Sequence, residues 1–405
     1  MISPHELTSF LESQLPKMLA FLESLVSVNS FTKNPTGVAN VVSKTAEAFV
    51  SLGFEARTIP SDNLEFGPHL FLHRAGTGGK RILLVTHSDT VFPPEEEERE
   101  NFHWRPEPEK GRIYGPGTID IKGGTAMILY VLLAIRHFDP EAFERTNWII
   151  AANASEEVMS ADFAKRCKEE SQGSADAVLV FEGGVISGEG KIFHFVTARK
   201  GKADLRVTVK GRASHSGGGH KLGRNAIVQL ADIISRAAAI TDYDRNLTVN
   251  VGVVRGGTVV NRVPHFAEID LEMRAFTPEV FISGLERLLG LGDHVPVVPD
   301  CKISVQLLGR TAPLPETPAA LGLIATFAQA AQELGCSVQA EHRGGLSDAN
   351  YLSVLGPTLD GLGPDGDNDH CSQRSEDGTK IPEYIDTTTI VPKAALNTLA
   401  ILKMI

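Results

Sequence analysis

His87, Asp120, Glu156, Glu157, Glu182 and His370 are the residues of this chain whose types and spacing could do chemistry. Five of them close apolar runs, the place where an α/β sheet delivers functional side chains to a crevice at the carboxyl ends of its strands. Two imidazoles and several carboxylates form a donor set for a pair of zinc ions, with one carboxylate left over as a base. The chemistry of such a set is hydrolysis by a metal-activated water.

Each motif also has a plainer reading. Thr86-His87-Ser88-Asp89 ends the Ile82–Val85 run. Alternation puts residues 87 and 89 on one side, so Asp89 can bond His87 and fix its tautomer; the plain alternative is a capped strand end with an incidental His. Gly115-Pro-Gly-Thr-Ile-Asp120-Ile-Lys-Gly-Gly124 leads into a helix but lacks the Gly-Lys-Ser/Thr order of a phosphate loop. An Asp in so tight a turn is suited to bridge two cations. In Asn153-Ala-Ser-Glu156-Glu157 the adjacent carboxylates repel unless a cation or proton compensates. One can bind metal while the other activates water, or both can belong to a solvated helix start capped by Ser155. Glu182 ends a further apolar run, and His370 follows the turn-rich Asp360-Gly-Leu-Gly-Pro. Each motif is weak alone; the set is not.

The elements that must position these residues are legible in outline. Amphipathic helices are predicted over Leu7–Val28 and Gly37–Leu52, with Gly53 as C-cap of the second. Buried strands are predicted at Arg81–Thr86, Trp148–Ala154 and Ala177–Phe181, with a helix at Gly124–Phe138. This alternation predicts an α/β fold, a mixed sheet flanked by helices. The pattern changes near Lys200. Half-exposed strands at Lys202–Lys210, Asn246–Val254, Phe266–Phe276 and Lys302–Leu308 alternate with helices at Arg224–Ile240 and Pro278–Leu291. These make a small α+β, ferredoxin-like domain over 199–309, inserted between two segments of the larger domain, 1–198 and 310–405. Helices return at Pro318–Leu334 and Thr387–Ile405, and the acidic run Glu95–Glu100 is expected to be a solvated loop.

Bulk properties exclude other classes. The chain has 405 residues, enough for two domains, and its 42% apolar and 22% charged content is ordinary for a globular protein. The net charge of −11 and the lack of a basic cluster argue against a nucleic-acid partner. The N-terminus has no basic n-region, no apolar run is read as long enough to span a bilayer, and a cytoplasmic location is expected. Cys167, Cys301, Cys336 and Cys371 are scattered with no CxxC pair, so neither a disulfide framework nor a thiolate zinc site is expected.

The ordered series His-x-Asp, Gly-x-x-Asp-x-Lys-Gly-Gly, Glu-Glu, strand-end Glu and late His resembles one family. It is the dinuclear zinc family of glutamate carboxypeptidase, acetylornithine deacetylase, succinyl-diaminopimelate desuccinylase and aminoacylase, and the resemblance covers nearly the whole chain. It implies that Asp120 bridges two zinc ions, with cobalt or manganese as substitutes. His87 and Glu182 would complete one ion's ligands, and Glu157 and His370 the other's. It further implies Glu156 as general base, Asp89 as partner of His87, and a cis peptide at Asp120–Ile121. The inserted domain becomes a dimerisation or lid domain, hinged near 198–200 and 309–311. In it, Gly211-Arg-Ala-Ser-His215-Ser-Gly supplies an oxyanion-stabilising His across a homodimer, Asn261 binds substrate and Arg310 binds its carboxylate. The Gly344–Asp348 loop lines the pocket.

The chain departs from that pattern in places. Ser155 replaces the family's Asp, Met159 a common Gly, Gly183 a Pro and Cys371 a Ser, and 12 residues separate His370 from Glu383 where the family has a much shorter spacer. No departure removes a proposed ligand; together they leave substrate identity open. Glu rather than Asp at 182 accompanies deacylases and carboxypeptidases in that family. The expected substrate is therefore a small peptide or N-acyl amino acid with a free carboxylate. A dipeptidase acting on free amino termini and a non-catalytic binding relative are the competing readings.

Overall fold

The computed structural model describes residues 2–405, which divide into two compact units. The first comprises residues 2–197, Glu316–Glu341 and Ser347–Ile405; the second comprises Ala198–Pro315 and His342–Leu346.

The first unit is built on a six-stranded mixed sheet in the order Glu55–Ile59, His69–Arg74, Asn147–Asn153, Arg81–His87, Ala177–Val180, Thr358–Leu359. The last four run parallel and the first two are antiparallel additions. The parallel strands are buried along almost their whole length, which is why they read as continuous apolar runs. Helices Pro4–Val26, Gly123–Phe138, Pro318–Glu333 and Ile390–Met404 share the core with them. Helix Pro35–Phe49 ends in a short 3-10 turn closed by Gly53 at φ 79°, the left-handed C-cap expected there.

Two expectations need correction. Glu95–Glu100 is not a loop: Pro94–Arg99 is a short helix, in which Pro at its first position and three glutamates facing the amino end favour helical geometry. The stretch Thr118–Phe138 is long and apolar enough to cross a bilayer, against the reading that no such run exists. It is a core segment, 83% buried in its most apolar window.

The second unit is a four-stranded antiparallel sheet in the order Thr248–Gly256, Phe266–Ala275, Gly201–Lys210, Lys302–Thr311. With helices Ala226–Ala238 and Pro278–Leu289 the chain order is strand-helix-strand-strand-helix-strand, the ferredoxin-like arrangement. Strict alternation along Gly201–Lys210 turns Ala203, Leu205, Val207 and Val209 onto the helices and leaves the intervening polar residues partly exposed. Asn225 and Thr277 cap the two helices through their side chains.

Candidate metal centre

His87 is the last residue of its strand, and backbone pairing with Asn153 of the neighbouring strand fixes its height. Its ring is buried, with Nδ1 3.0 Å from the Asp89 carbonyl oxygen and 3.4 Å from the Asp89 carboxylate. The backbone carbonyl is thus the nearer acceptor for Nδ1–H, leaving Nε2 to face Asp120 Oδ1 at 2.8 Å and Glu182 Oε1 at 4.0 Å. The Asp89 carboxylate points mainly elsewhere. It accepts the Glu156 N–H at 3.0 Å, the Glu157 N–H at 3.3 Å and the Thr32 hydroxyl at 2.7 Å.

Asp120 lies in the irregular turn Thr118–Lys122, outside helical backbone geometry, and the Asp120–Ile121 bond is cis. The glycines that follow serve close packing. A Cβ on Gly123 would lie 2.3 Å from the Thr118 carbonyl oxygen, and one on Gly124 would lie 1.9 Å from the Phe181 carbonyl oxygen. Bare backbone lets the helix start dock on the strand end that carries Glu182. On its other oxygen Asp120 faces His370 Nε2 at 3.2 Å, and the same nitrogen lies 3.2 Å from Glu157 Oε2.

Two donor groups result, His87–Asp120–Glu182 and Asp120–Glu157–His370, with ligand atoms in each lying within 4.8 Å of one another. Zinc holds N and O donors at about 2.0–2.2 Å, so donors spaced up to roughly twice that distance can share an ion. Imidazole nitrogen and carboxylate oxygen are also the donor types such ions take. The residues fit a pair of divalent cations bridged by Asp120. Without cations, protons do part of the neutralising. Hydrogen bonds to Asp120 and Glu157 pull His370 up to about 11. Burial and then the Asp120 charge push Glu157 up to about 7. For His87, burial opposes the charged form, yet the Asp120 and Asp89 contacts outweigh it and raise the ring well above its ordinary value.

Glu156 is buried yet belongs to neither donor group. Burial, reinforced by the charges of Glu182, Asp348 and Glu157, lifts its carboxyl well above the ordinary range. The plain reading of Ser155 and the two glutamates as a solvated helix start does not hold: Ser155 makes no cap bond, and its hydroxyl donates to Ser160 instead. Met159 ends this turn at φ 56°, left-handed backbone in which Gly costs least. Cys371 lies outside both donor groups, its sulfur 3.7 Å from the Gln373 carbonyl.

His215, Asn261 and Arg310 belong to the second unit, and all three are exposed within the described residues. His215 pairs with Arg262 across a two-residue ladder, and the Ser216 N–H donates to the Asn261 carbonyl at 3.1 Å. Nδ1 of His215 accepts the N–H groups of Gly217 and Gly218 at 3.1 Å each, so the neutral ring carries its proton on Nε2. Arg310 sits on the edge strand Lys302–Thr311, opposite Ala203.

Sequence reasoning missed Thr32 and Asp360 near the first-unit cluster, and gave Asp348 only a place in a pocket-lining loop. Thr32 holds Asp89 from 57 positions away with no local signal. Asp348 bonds Asn153 Nδ2 at 2.9 Å, and the Asp360 carboxylate receives the Ser347 hydroxyl at 2.8 Å. A cavity of ≈ 290 Å³ in the same unit is lined by Tyr114, Ser372 and Arg374 among others, so the long spacer after His370 contributes to a pocket wall.

A mixed sheet beside which a buried carboxyl and two such donor groups gather fits the class of metal-dependent hydrolases. The model of Peptidase family M20/M25/M40 matches residues 83–391, and the chain belongs to that family. It is similar to carboxypeptidase G2 of Pseudomonas sp. (strain RS-16), 28% identical over 377 residues that cover 93% of this chain and 86% of that one. It is also similar to acetylornithine deacetylase of Vibrio campbellii (strain ATCC BAA-1116), 30% identical over 292 residues, 68% of this chain and 72% of that one. Aminopeptidase PepT from Bacillus cereus ATCC 10987 shares the fold, with a TM-score of 0.73 at 20% identity over 96% of this chain and 98% of that one. The protein is an M20-family metallohydrolase acting on peptide or amide bonds.

Proposed function

We propose that the protein cleaves the amide bond of a small substrate bearing a free carboxylate, as a carboxypeptidase or an N-acyl-amino-acid deacylase. Two zinc ions would be held by His87, Asp120 and Glu182 on one side and by Asp120, Glu157 and His370 on the other. When bound, such a pair acidifies a water and polarises the scissile carbonyl. The observation that carries the reading is Glu156, a buried carboxyl with a raised proton affinity that neither donor group uses. It takes the proton of the attacking water and returns it to the leaving nitrogen. A carboxyl held in this way is matched to general-base work and serves no purpose in mere binding.

In the same reading Asp89 orients His87 and braces the turn that carries Glu156. His215 offers Nε2–H to the developing oxyanion, Asn261 binds the substrate and Arg310 takes its carboxylate. A homodimer through the second unit is part of the proposal. Strand Thr248–Gly256 is a sheet edge and exposes Val253 and Val254, at 40% and 59%, while helix Ala226–Ala238 exposes Ile227 and Val228.

The relatives include a carboxypeptidase and a deacetylase, the two classes between which the proposal stands. The test is hydrolysis of a mixed panel by zinc-loaded protein set beside Glu156→Ala. The panel holds carboxyl-terminal glutamyl peptides, N-acetyl and N-succinyl amino acids, and free dipeptides. Cleavage of a carboxylate-bearing amide that disappears in the variant is expected. Preference for free dipeptides would replace the proposal with a dipeptidase, and equal cleavage by Glu156→Ala would remove Glu156 from the mechanism.

A further inference from the structure

We propose that Glu383 is the positioning residue of the Asp120–Glu157–His370 donor group, an inference that rests on the metal-site reading above. Glu383 is completely buried. Its Oε1 accepts the N–H of Ile119 at 2.9 Å and the N–H of Asp120 at 3.1 Å. Its own N–H donates to the carbonyl of Cys371 at 2.8 Å, and its carbonyl accepts the Gly115 N–H at 3.3 Å. One residue therefore grips the turn that presents Asp120 and the residue that follows His370.

Both ends of this grip need a holder. The Asp120 turn departs from helical geometry, so the buried amides of Ile119 and Asp120 have no ladder to bond to. His370 sits at φ 62°, a left-handed conformation uncommon for a non-glycine residue, which the chain on either side must hold. The Glu383 to Cys371 bond also closes the base of the 12-residue segment Cys371–Pro382. Above that base the segment bonds itself: Ser375 N–H donates to the Lys380 carbonyl at 3.1 Å, and Lys380 N–H to the Ser375 hydroxyl at 2.9 Å. A loop closed at its base can grow without moving its ends. This is how His370 keeps its place although its spacer is longer than the family pattern.

A purely structural acceptor for two amides need not be ionisable. Glu383 keeps its second oxygen, Oε2, buried and without a hydrogen-bond partner among the described residues. Leaving a buried oxygen in that state is costly, and the fold bears that cost directly behind the residue that would bridge the cations.

The experiment is a cobalt(II) titration of the metal-free full chain, read by visible absorption and binding calorimetry, with the melting temperature of the metal-free protein alongside. Glu383→Met fills the same space without a carboxylate; Glu383→Gln keeps an acceptor. Glu383→Met is expected to weaken both ions through Asp120, and most, by at least about tenfold, the ion of the Asp120–Glu157–His370 group, with an altered cobalt spectrum, while Glu383→Gln stays within about threefold. If Glu383→Met does not fold, Glu383→Asp, too short to reach both amides, carries the same expectation. Wild-type affinity for both ions in the Met or Asp variant overturns the proposal. So does equal weakening of both ions in step with a lower melting temperature, the mark of a general fold residue. Wild-type protein that binds fewer than two ions instead refutes the metal-site reading itself.

Discussion

Asp89 Oδ1 accepts the backbone N–H of Glu156 at 3.0 Å, so the residue two places beyond His87, a proposed ligand, also sets the turn that carries the candidate base. The relationship joins two neighbouring strand ends that sequence reading treats as separate motifs. Asp89→Ala removes the acceptor for the buried amides of Glu156 and Glu157, at about 1–3 kcal/mol for each amide left unpaired. It should lower kcat by about 10–100-fold and reduce metal affinity within the same range. Steady-state kinetics at saturating zinc, with metal content measured on the same sample, would show it. An unchanged kcat would mean that the turn holds Glu156 without the Asp89 carboxylate.

Metal removal should cost stability as well as activity. The two donor groups crowd Asp120, Glu157 and Glu182 around a pair of imidazoles, and the cations that would neutralise them bind the folded state only. At a free ion concentration 100 times Kd, each site adds about 2.7 kcal/mol to folding stability. Calorimetry with and without a chelator is expected to show a lower melting temperature on chelation, restored by added zinc. No shift in either direction would argue that the carboxylates hold protons rather than ions.

The glycines behind Asp120 yield a sharp structural test. In Gly124→Ala the added methyl meets the Phe181 carbonyl oxygen at 1.9 Å, a clash with backbone that no rotamer relieves. Destabilisation of about 2–4 kcal/mol is expected, together with weaker metal binding because Phe181 precedes Glu182. Chemical denaturation measures the first effect. A loss below 0.5 kcal/mol or so, within the range of ordinary surface substitutions, would show that helix and strand can part without harm.

These cases mark what could be read from the chain alone. The parallel strands were legible because burial on both faces makes them continuous apolar runs, with His87 at the end of one and Glu157 and Glu182 a few residues beyond the other two. The second unit was legible through period-two alternation. The antiparallel strands Glu55–Ile59 and His69–Arg74 were not. The first is exposed along most of its length and the second mixes buried His69 with partly exposed His73 and Arg74, so neither shows a clean period. The partners of the braces Thr32, Asp348 and Glu383 escaped reading for another reason. They lie 57, 195 and 263 positions away, and no local pattern encodes such pairings.

The second unit carries a pH-dependent element independent of the metal centre. Asp270 takes two bonds from Arg206 and one from Arg255, at 2.7, 3.0 and 2.8 Å, and these hold its carboxyl at about 2. A depressed carboxyl stabilises the fold above its unfolded value of about 3.9 and loses that contribution as pH falls through its folded value. The melting temperature of Asp270→Asn should therefore lie below wild type at pH 6, and the two should converge as pH falls from 4 towards 2. The group is solvent-accessible, so the gap should be small. A gap that persists at pH 2 would assign the effect to packing.

The edge strand Thr248–Gly256 makes the last prediction. Its outer backbone edge is unpaired in the sheet order, its Val253 and Val254 are exposed, and helix Ala226–Ala238 of the same unit exposes Ile227 and Val228. Isolated exposed valines need no explanation, but apolar residues gathered at an uncapped sheet edge mark a surface for association. Val254→Lys places a charge there while leaving the core of the unit untouched, since Val254 is 59% exposed. Light scattering during size-exclusion chromatography should find wild type as a dimer and the variant as a monomer with unchanged melting cooperativity. If His215 acts across that dimer, the monomer should also lose kcat while retaining both metal ions, because every proposed ligand lies in the first unit. A monomeric variant with full activity would confine the whole mechanism to one chain and return His215 to a turn on the surface.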